Sequence, residues 1–183
     1  MMWYTMATAE PSNRTWGRMS LIPFWELLHR DLPYINEAFN NEQDVQAWRE
    51  LGYTQQRFTG DMYDMRFAEP EWMVAIREVM PMSNWAWSVY RMRPGDVLPE
   101  HSDIYAKYCE IYGISDISSI RRYIIFLEDW QSGHYLELDG TPITGWRAGE
   151  GVYWHGDTRH LAANVGSTPR YTLQITGTMQ GRY

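Results

Sequence analysis

The sequence contains a single cysteine, and it lacks both a basic tract and a long apolar run. Cys109 has no partner for a disulfide within the chain, which is typical of a protein from a reducing compartment. No apolar stretch approaches the roughly 20 residues that a membrane-spanning helix needs, and the first residues show neither part of a secretion signal. These absences predict a cytoplasmic protein that is not inserted in a membrane.

Negative charge is in excess, because 23 Asp and Glu stand against 16 Lys and Arg. Without a basic patch, the chain lacks the electrostatic signature of a nucleic-acid-binding protein. Hydrophobic residues make up 44% of the sequence and aromatic residues 15%, which is far from the composition of a disordered chain. A length of 183 residues predicts one domain, residues 1–183, and leaves the oligomeric state open.

Residues 1–84 carry helical signals, and we predict a mostly helical segment there. The stretch NNEQDVQAWREL has an asparagine that can cap a helix, and Gly52 follows it as a stop signal. The stretch EPEWMVAIREVM predicts a second helix with Pro70 in its first turn. We expect these helices to pack on the outside of a β unit.

From Trp85 onward the sequence consists of short β-rich runs separated by turn residues. Several short strands at this spacing are typical of a sandwich or barrel, and DGTP between two runs predicts a hairpin turn. The fold class predicted is mainly β with flanking helices, in which residues 85–177 form a jelly-roll core.

The segment PEHSDIY places a histidine and an aspartate two positions apart in a predicted strand. Side chains at i and i+2 share a face, so His101 and Asp103 can approach one ion together while Ser102 points away. His160 is the candidate for a third ligand. Two histidines and one carboxylate leave coordination positions open, as in non-heme iron oxygenases, and they also satisfy an open zinc site.

A second H-x-D motif, HGD at residues 155–157, competes with this interpretation. Its middle glycine and its place between two β runs predict a turn and not a metal site. His155 is also the weaker candidate for the third ligand, because it lies farther than His160 from the next β run.

Arg170 and Thr172 lie two positions apart in the alternating run RYTLQIT and should therefore share a face. A buried guanidinium is costly unless an anion meets it. A hydroxyl beside it can donate a hydrogen bond to the same carboxylate. The pair predicts a carboxylate-binding site inside the β unit.

The three motifs together, HSD, the distal histidine in TRHLAANVG and RYT, resemble the Fe(II)/2-oxoglutarate-dependent dioxygenases over residues 85–177. The W-x-x-G-E motif of residues 146–150 and the N-x-G motif of residues 164–166 also resemble the aspartyl/asparaginyl β-hydroxylase-like branch. The resemblance implies a double-stranded β-helix of the cupin-like type. The rival interpretation is a cupin-like metal-binding protein that works without a keto acid, or without catalysis.

The same resemblance implies cofactors and partners. Fe(II) would be held by His101, Asp103 and His160, and the far carboxylate of the co-substrate 2-oxoglutarate would pair with Arg170 and Thr172. The expected partners are O2 and a small-molecule or peptide substrate, with an unactivated C–H bond as the point of hydroxylation.

Two further residues are candidates for contact with 2-oxoglutarate. Tyr90 could donate its hydroxyl to the co-substrate or line the pocket. One of Arg122 and Tyr123 must face inward, where the arginine could reach a carboxylate of the co-substrate, and the pattern leaves the choice open. The tyrosine-rich segment 103–119 is a candidate for a loop over the mouth of the site.

Overall fold

A computed structural model describes residues 15–39, 41–54, 58–80 and 82–179. These residues form eleven strands, three α-helices and two short 3-10 helices at Leu28–Asp31 and Ile117–Ser119. The strands are β1 (Trp16–Ser20), β2 (Ile35–Ala38), β3 (Thr59–Asp64), β4 (Met82–Met92), β5 (Val97–His101), β6 (Ile120–Phe126), β7 (His134–Leu138), β8 (Thr141–Ile143), β9 (Glu150–His155), β10 (His160–Asn164) and β11 (Arg170–Met179). The α-helices are α1 (Glu42–Glu50), α2 (Glu71–Val79) and α3 (Ala106–Tyr112).

The strands form two antiparallel sheets. The larger has seven strands in the order β1-β9-β6-β11-β4-β3-β2, and the smaller has four in the order β5-β10-β7-β8. The inner face of the large sheet packs on the small sheet through one apolar cluster, to which β4, β6, β7, β9 and β10 all contribute. This arrangement confirms the predicted jelly-roll core.

The outer face of the large sheet forms a second apolar cluster with α2. α2 begins directly after Pro70 and buries Trp72, Met73 and Ile76, each of which stabilises the fold by about 1.5–3 kcal/mol. The predicted packing of this helix on the outside of the β unit is confirmed. Within the described residues, no helix is both long enough and apolar enough to cross a bilayer.

α1 has the predicted caps. The side-chain oxygen of Asn41 accepts hydrogen bonds from the backbone N–H groups of Gln43 and Asp44, at 3.2 and 3.4 Å. Gly52 follows the helix with a φ of 97°, a conformation that glycine adopts without strain.

The prediction that residues 1–84 are mostly helical is wrong for the described part of that segment. β1 pairs with β9, and β2 pairs with β3, which pairs with β4, so these strands extend both edges of the large sheet. Their sequences gave little β signal, since β3 contains glycine and two aspartates, which are rare in strands. Asp61 is tolerated there because it pairs with Arg91 and Arg93, at 2.7 and 2.6 Å.

Strand parity decides which side chains reach the interior between the sheets. On β11, Leu173 and Ile175 belong to the outer cluster, so Arg170, Thr172 and Gln174 face inward. On β6, Ile124 belongs to the inner cluster, so the residues two positions before and after it also face the interior.

Candidate metal centre and anion pocket

Two histidines meet where β5 pairs with β10. His101 ends β5, His160 begins β10, and the two are opposite each other in the antiparallel register. Their ring centroids are 4.2 Å apart, and Asp103 Oδ2 is 3.9 Å from His160 Nε2. One ligand atom from each of the three side chains lies within 4.8 Å of the others. A single ion among them would be within reach of all three.

Each histidine ring is held by a hydrogen bond to the backbone carbonyl two residues before it. His101 Nδ1 is 2.8 Å from the carbonyl oxygen of Pro99, and His160 Nδ1 is 3.0 Å from that of Thr158. A carbonyl only accepts hydrogen bonds, so each Nδ1 must carry the proton and each neutral ring keeps its lone pair on Nε2. Burial lowers the pKa of His160 to about 4, so this ring is neutral at neutral pH.

Asp103 lies in the loop after β5 and not in the strand where the sequence placed it, because β5 ends at His101. Ser102 points away, as predicted, and its hydroxyl donates to the carbonyl oxygen of Asp157 at 2.9 Å. The Tyr105 hydroxyl donates to Asp103 Oδ2 at 3.2 Å. This tyrosine, which the sequence did not single out, orients the carboxylate in place of strand geometry.

Asp103 is ionised at neutral pH. Burial alone would raise the pKa of its carboxyl, but the positive charge of Arg122, electrostatic interaction with the two imidazoles and the hydrogen bond from Tyr105 hold that pKa below its ordinary value. The nearest guanidinium atom is Arg122 Nε, 3.8 Å from Asp103 Oδ2. The cluster therefore brings together two imidazoles and one anionic carboxylate.

A buried cation lies at the start of β11. Arg170 is 4% exposed and Thr172 1% exposed. Arg170 donates one hydrogen bond, from Nη1 to the carbonyl oxygen of Tyr135 at 2.5 Å, whereas its Nε and the Thr172 hydroxyl have no hydrogen-bond partner. Burial lowers the pKa of Arg170 to about 10, so the guanidinium remains charged at neutral pH.

Tyr90 lies opposite Thr172 in the pairing of β4 with β11. Burial raises the pKa of its phenol to about 12, and the phenol interacts electrostatically with Arg170, so its hydroxyl keeps a proton to donate. A Cβ at Gly60 would collide with the Tyr90 ring. The glycine on β3 therefore makes room for this ring.

Arg122 faces the interior, and Tyr123 joins the outer cluster beside α2. This settles the choice that the sequence left open. The guanidinium is fixed by hydrogen bonds from Nη1 to the Thr176 hydroxyl at 2.6 Å and from Nη2 to Gln174 Oε1 at 2.5 Å.

One cavity of about 580 Å³ connects the His–Asp–His cluster with Arg122, Arg170 and Tyr90. This size is typical of a site for small molecules. Phe39, Phe58 and Met62, around and within β2 and β3, also line it, and the sequence did not predict a contribution from these elements. Phe39 also packs edge-on against the His101 ring, with centroids 5.0 Å apart.

Two other predicted features have structural roles. Within HGD, His155 ends β9, and Gly156 and Asp157 form the predicted turn before β10. Segment 103–119 contains α3, which is anchored by hydrogen bonds from the Tyr108 and Tyr112 hydroxyls to the carbonyl oxygens of Asn84 and Trp85. Its role over the mouth of the site stays a prediction.

No protein-family model matches the sequence, and no curated protein sequence matches it either. Solved structures do share its fold. A prolyl-4-hydroxylase from Pseudomonas putida is 13% identical with a TM-score of 0.56, over 92% of this chain and 95% of that one. The non-heme α-ketoglutarate-dependent carbocyclase SnoK from nogalamycin biosynthesis is 13% identical with a TM-score of 0.54, over 84% and 82%. The chain therefore has the double-stranded β-helix fold of these enzymes.

Proposed function

We propose that the protein is an Fe(II)- and 2-oxoglutarate-dependent dioxygenase that hydroxylates an unactivated C–H bond of a small molecule or peptide. One observation carries this proposal: a buried arginine and a buried threonine, each with an unpaired donor, face the same interior as a His–Asp–His cluster. Buried polar groups in native proteins are almost always paired, so these donors call for an anionic ligand.

The residues fit Fe(II). Two imidazoles and one carboxylate match the ligand set of non-heme iron oxygenases and leave coordination positions open. The backbone carbonyls behind His101 and His160 fix the tautomer in which Nε2 can bind the ion.

The residues also fit 2-oxoglutarate, which has a keto acid at one end and a carboxylate at the other. The keto acid can chelate the metal, and Arg170, Thr172 and Tyr90 can bind the far carboxylate. When bound, Fe(II) and 2-oxoglutarate activate O2, so that one oxygen atom enters the substrate and succinate and CO2 are released. The protein holds these groups in place and limits the access of water.

The proposal is tested by anaerobic loading with Fe(II), followed by measurement of succinate formed from 2-oxoglutarate in air, with ascorbate and with amino acids and peptides as candidate substrates. We expect iron-dependent succinate release, with a slow uncoupled background that needs no substrate. Stoichiometric zinc without 2-oxoglutarate binding would instead favour the cupin-like metal-binding protein, against which Arg170 and Thr172 argue.

Replacing Thr172 by valine should separate stability from function. The hydroxyl is buried and unpaired in the free protein, so we expect the free energy of unfolding to stay constant or to rise by about 1 kcal/mol. Loss of a hydrogen bond to a carboxylate should raise the dissociation constant of 2-oxoglutarate about tenfold. Denaturant unfolding and calorimetric titration measure the two effects.

The matched control is Thr178→Val, also on β11, where the hydroxyl accepts a hydrogen bond from the Asn84 side chain. This variant should keep the wild-type affinity for 2-oxoglutarate. Wild-type affinity in Thr172→Val would show that Thr172 does not contact the co-substrate.

A further inference from the structure

Arg122 is one of three arginines that line the cavity, with Arg66 and Arg170, and binding of the far carboxylate of 2-oxoglutarate does not require it. It lies beside the metal cluster, with Nε 3.8 Å from Asp103 Oδ2. That distance is too long for a hydrogen bond, and Nε is buried without another partner.

The Arg122 side chain is rigidly held. Gln174 and Thr176 bind its two terminal nitrogens from β11, which leaves Nε as the donor without a hydrogen bond. A guanidinium that is fixed in this way loses little side-chain entropy when an anion binds it.

The charges inside the cavity also favour a further anion. With a divalent ion and 2-oxoglutarate bound, the positive charge of the cavity comes from the ion, Arg122 and Arg170. It exceeds the negative charge of Asp103 and the two co-substrate carboxylates by one unit. The charged residues of the rim are partly exposed, and Arg66 pairs with Glu37 and Asp64, so solvent screens them. A partly buried net positive charge is stabilised by one more negative group.

The cavity lining also includes apolar side chains. Phe39, Met62 and Leu98 are among them, together with Ile124. A cavity of about 580 Å³ that also contains 2-oxoglutarate has room for a small molecule.

We propose that Arg122 selects a small substrate with one carboxylate and an apolar body. The carboxylate binds at Arg122 Nε, and the body lies against Phe39, Met62 and Leu98. This inference rests on the proposed function and specifies its substrate class.

The test is calorimetric titration of the protein loaded with Fe(II) and 2-oxoglutarate in the absence of O2. The probes are 3-phenylpropanoate and its uncharged analogue 3-phenylpropanamide. The acid should bind the wild type about tenfold more tightly than the amide, since a hydrogen bond to a charged group is worth more than a neutral one. Arg122→Gln should abolish this preference, and Arg122→Lys should restore part of it.

2-Oxoglutarate is titrated first, into wild type and Arg122→Gln loaded with Fe(II) alone. Failure of the wild type to bind it overturns the proposed function and the inference together. Normal binding of 2-oxoglutarate, followed by equal binding of acid and amide or by no binding of the acid, overturns the inference alone. A loss of 2-oxoglutarate affinity in Arg122→Gln as large as that in Arg170→Gln also overturns it, because Arg122 would then bind the co-substrate.

Discussion

Asp103→Ala is expected to abolish Fe(II) binding at the candidate centre and, with it, the turnover of 2-oxoglutarate. Asp103 is the one anionic side chain of the cluster, and the hydrogen bond from Tyr105 holds its carboxylate beside His160, with Arg122 as a more distant ion-pair partner. Loss of a group that merely supports a metal ligand costs about 10- to 100-fold in metal affinity, so loss of the ligand itself should cost more than about 100-fold. Anaerobic metal titration and succinate release measure the two effects.

Asp157→Ala is the matched control, because Asp157 belongs to the second H-x-D motif and lies in the turn after β9. This variant should bind Fe(II) and turn over 2-oxoglutarate as the wild type does. Asp103→Asn adds an isosteric change that keeps the volume of the side chain and removes its charge. Wild-type metal affinity in both Asp103 variants, with normal thermal unfolding, would show that the ion binds elsewhere.

The β core was predictable because its strands carry strong local signals. RYTLQIT alternates as a two-faced strand does, and DGTP forms the predicted hairpin turn, in which Asp139 and Gly140 both have positive φ. β1, β2 and β3 were missed because they are short and partly polar and depend on pairing with strands far along the chain. For such edge strands, tertiary context overrides local propensity.

The candidate site was predictable where strand parity determines the direction of a side chain. Arg170 and Thr172 face inward because the residues between and after them belong to the outer cluster. Strand parity could not predict the direction of the Asp103 side chain, because β5 ends at His101 and Asp103 lies in the loop that follows. Tyr105 and Phe39 were missed for a related reason: they reach the cluster through loop and edge geometry, which has no sequence period.

Arg170→Gln should raise the dissociation constant of 2-oxoglutarate more than any other substitution outside the His–Asp–His cluster. The guanidinium is almost fully buried, and its Nε has no partner. Removing one member of a buried, hydrogen-bonded charge pair costs about 2–5 kcal/mol, which corresponds to an affinity loss of at least about 30-fold. Titration of 2-oxoglutarate into the Fe(II)-loaded variant measures the loss, and Fe(II) affinity itself should not change.

The control is Arg147→Gln, which removes an exposed guanidinium that pairs with Asp129 at 3.3 Å on the surface. It should leave 2-oxoglutarate affinity unchanged, which excludes a general effect of lost positive charge. Arg170→Lys should recover only part of the affinity, because an ammonium keeps the charge but lacks the planar pair of donors that matches a carboxylate. Full affinity in Arg170→Gln would mean that the buried charge stabilises the fold through Tyr135 alone, and the unpaired Thr172 hydroxyl would then need another ligand.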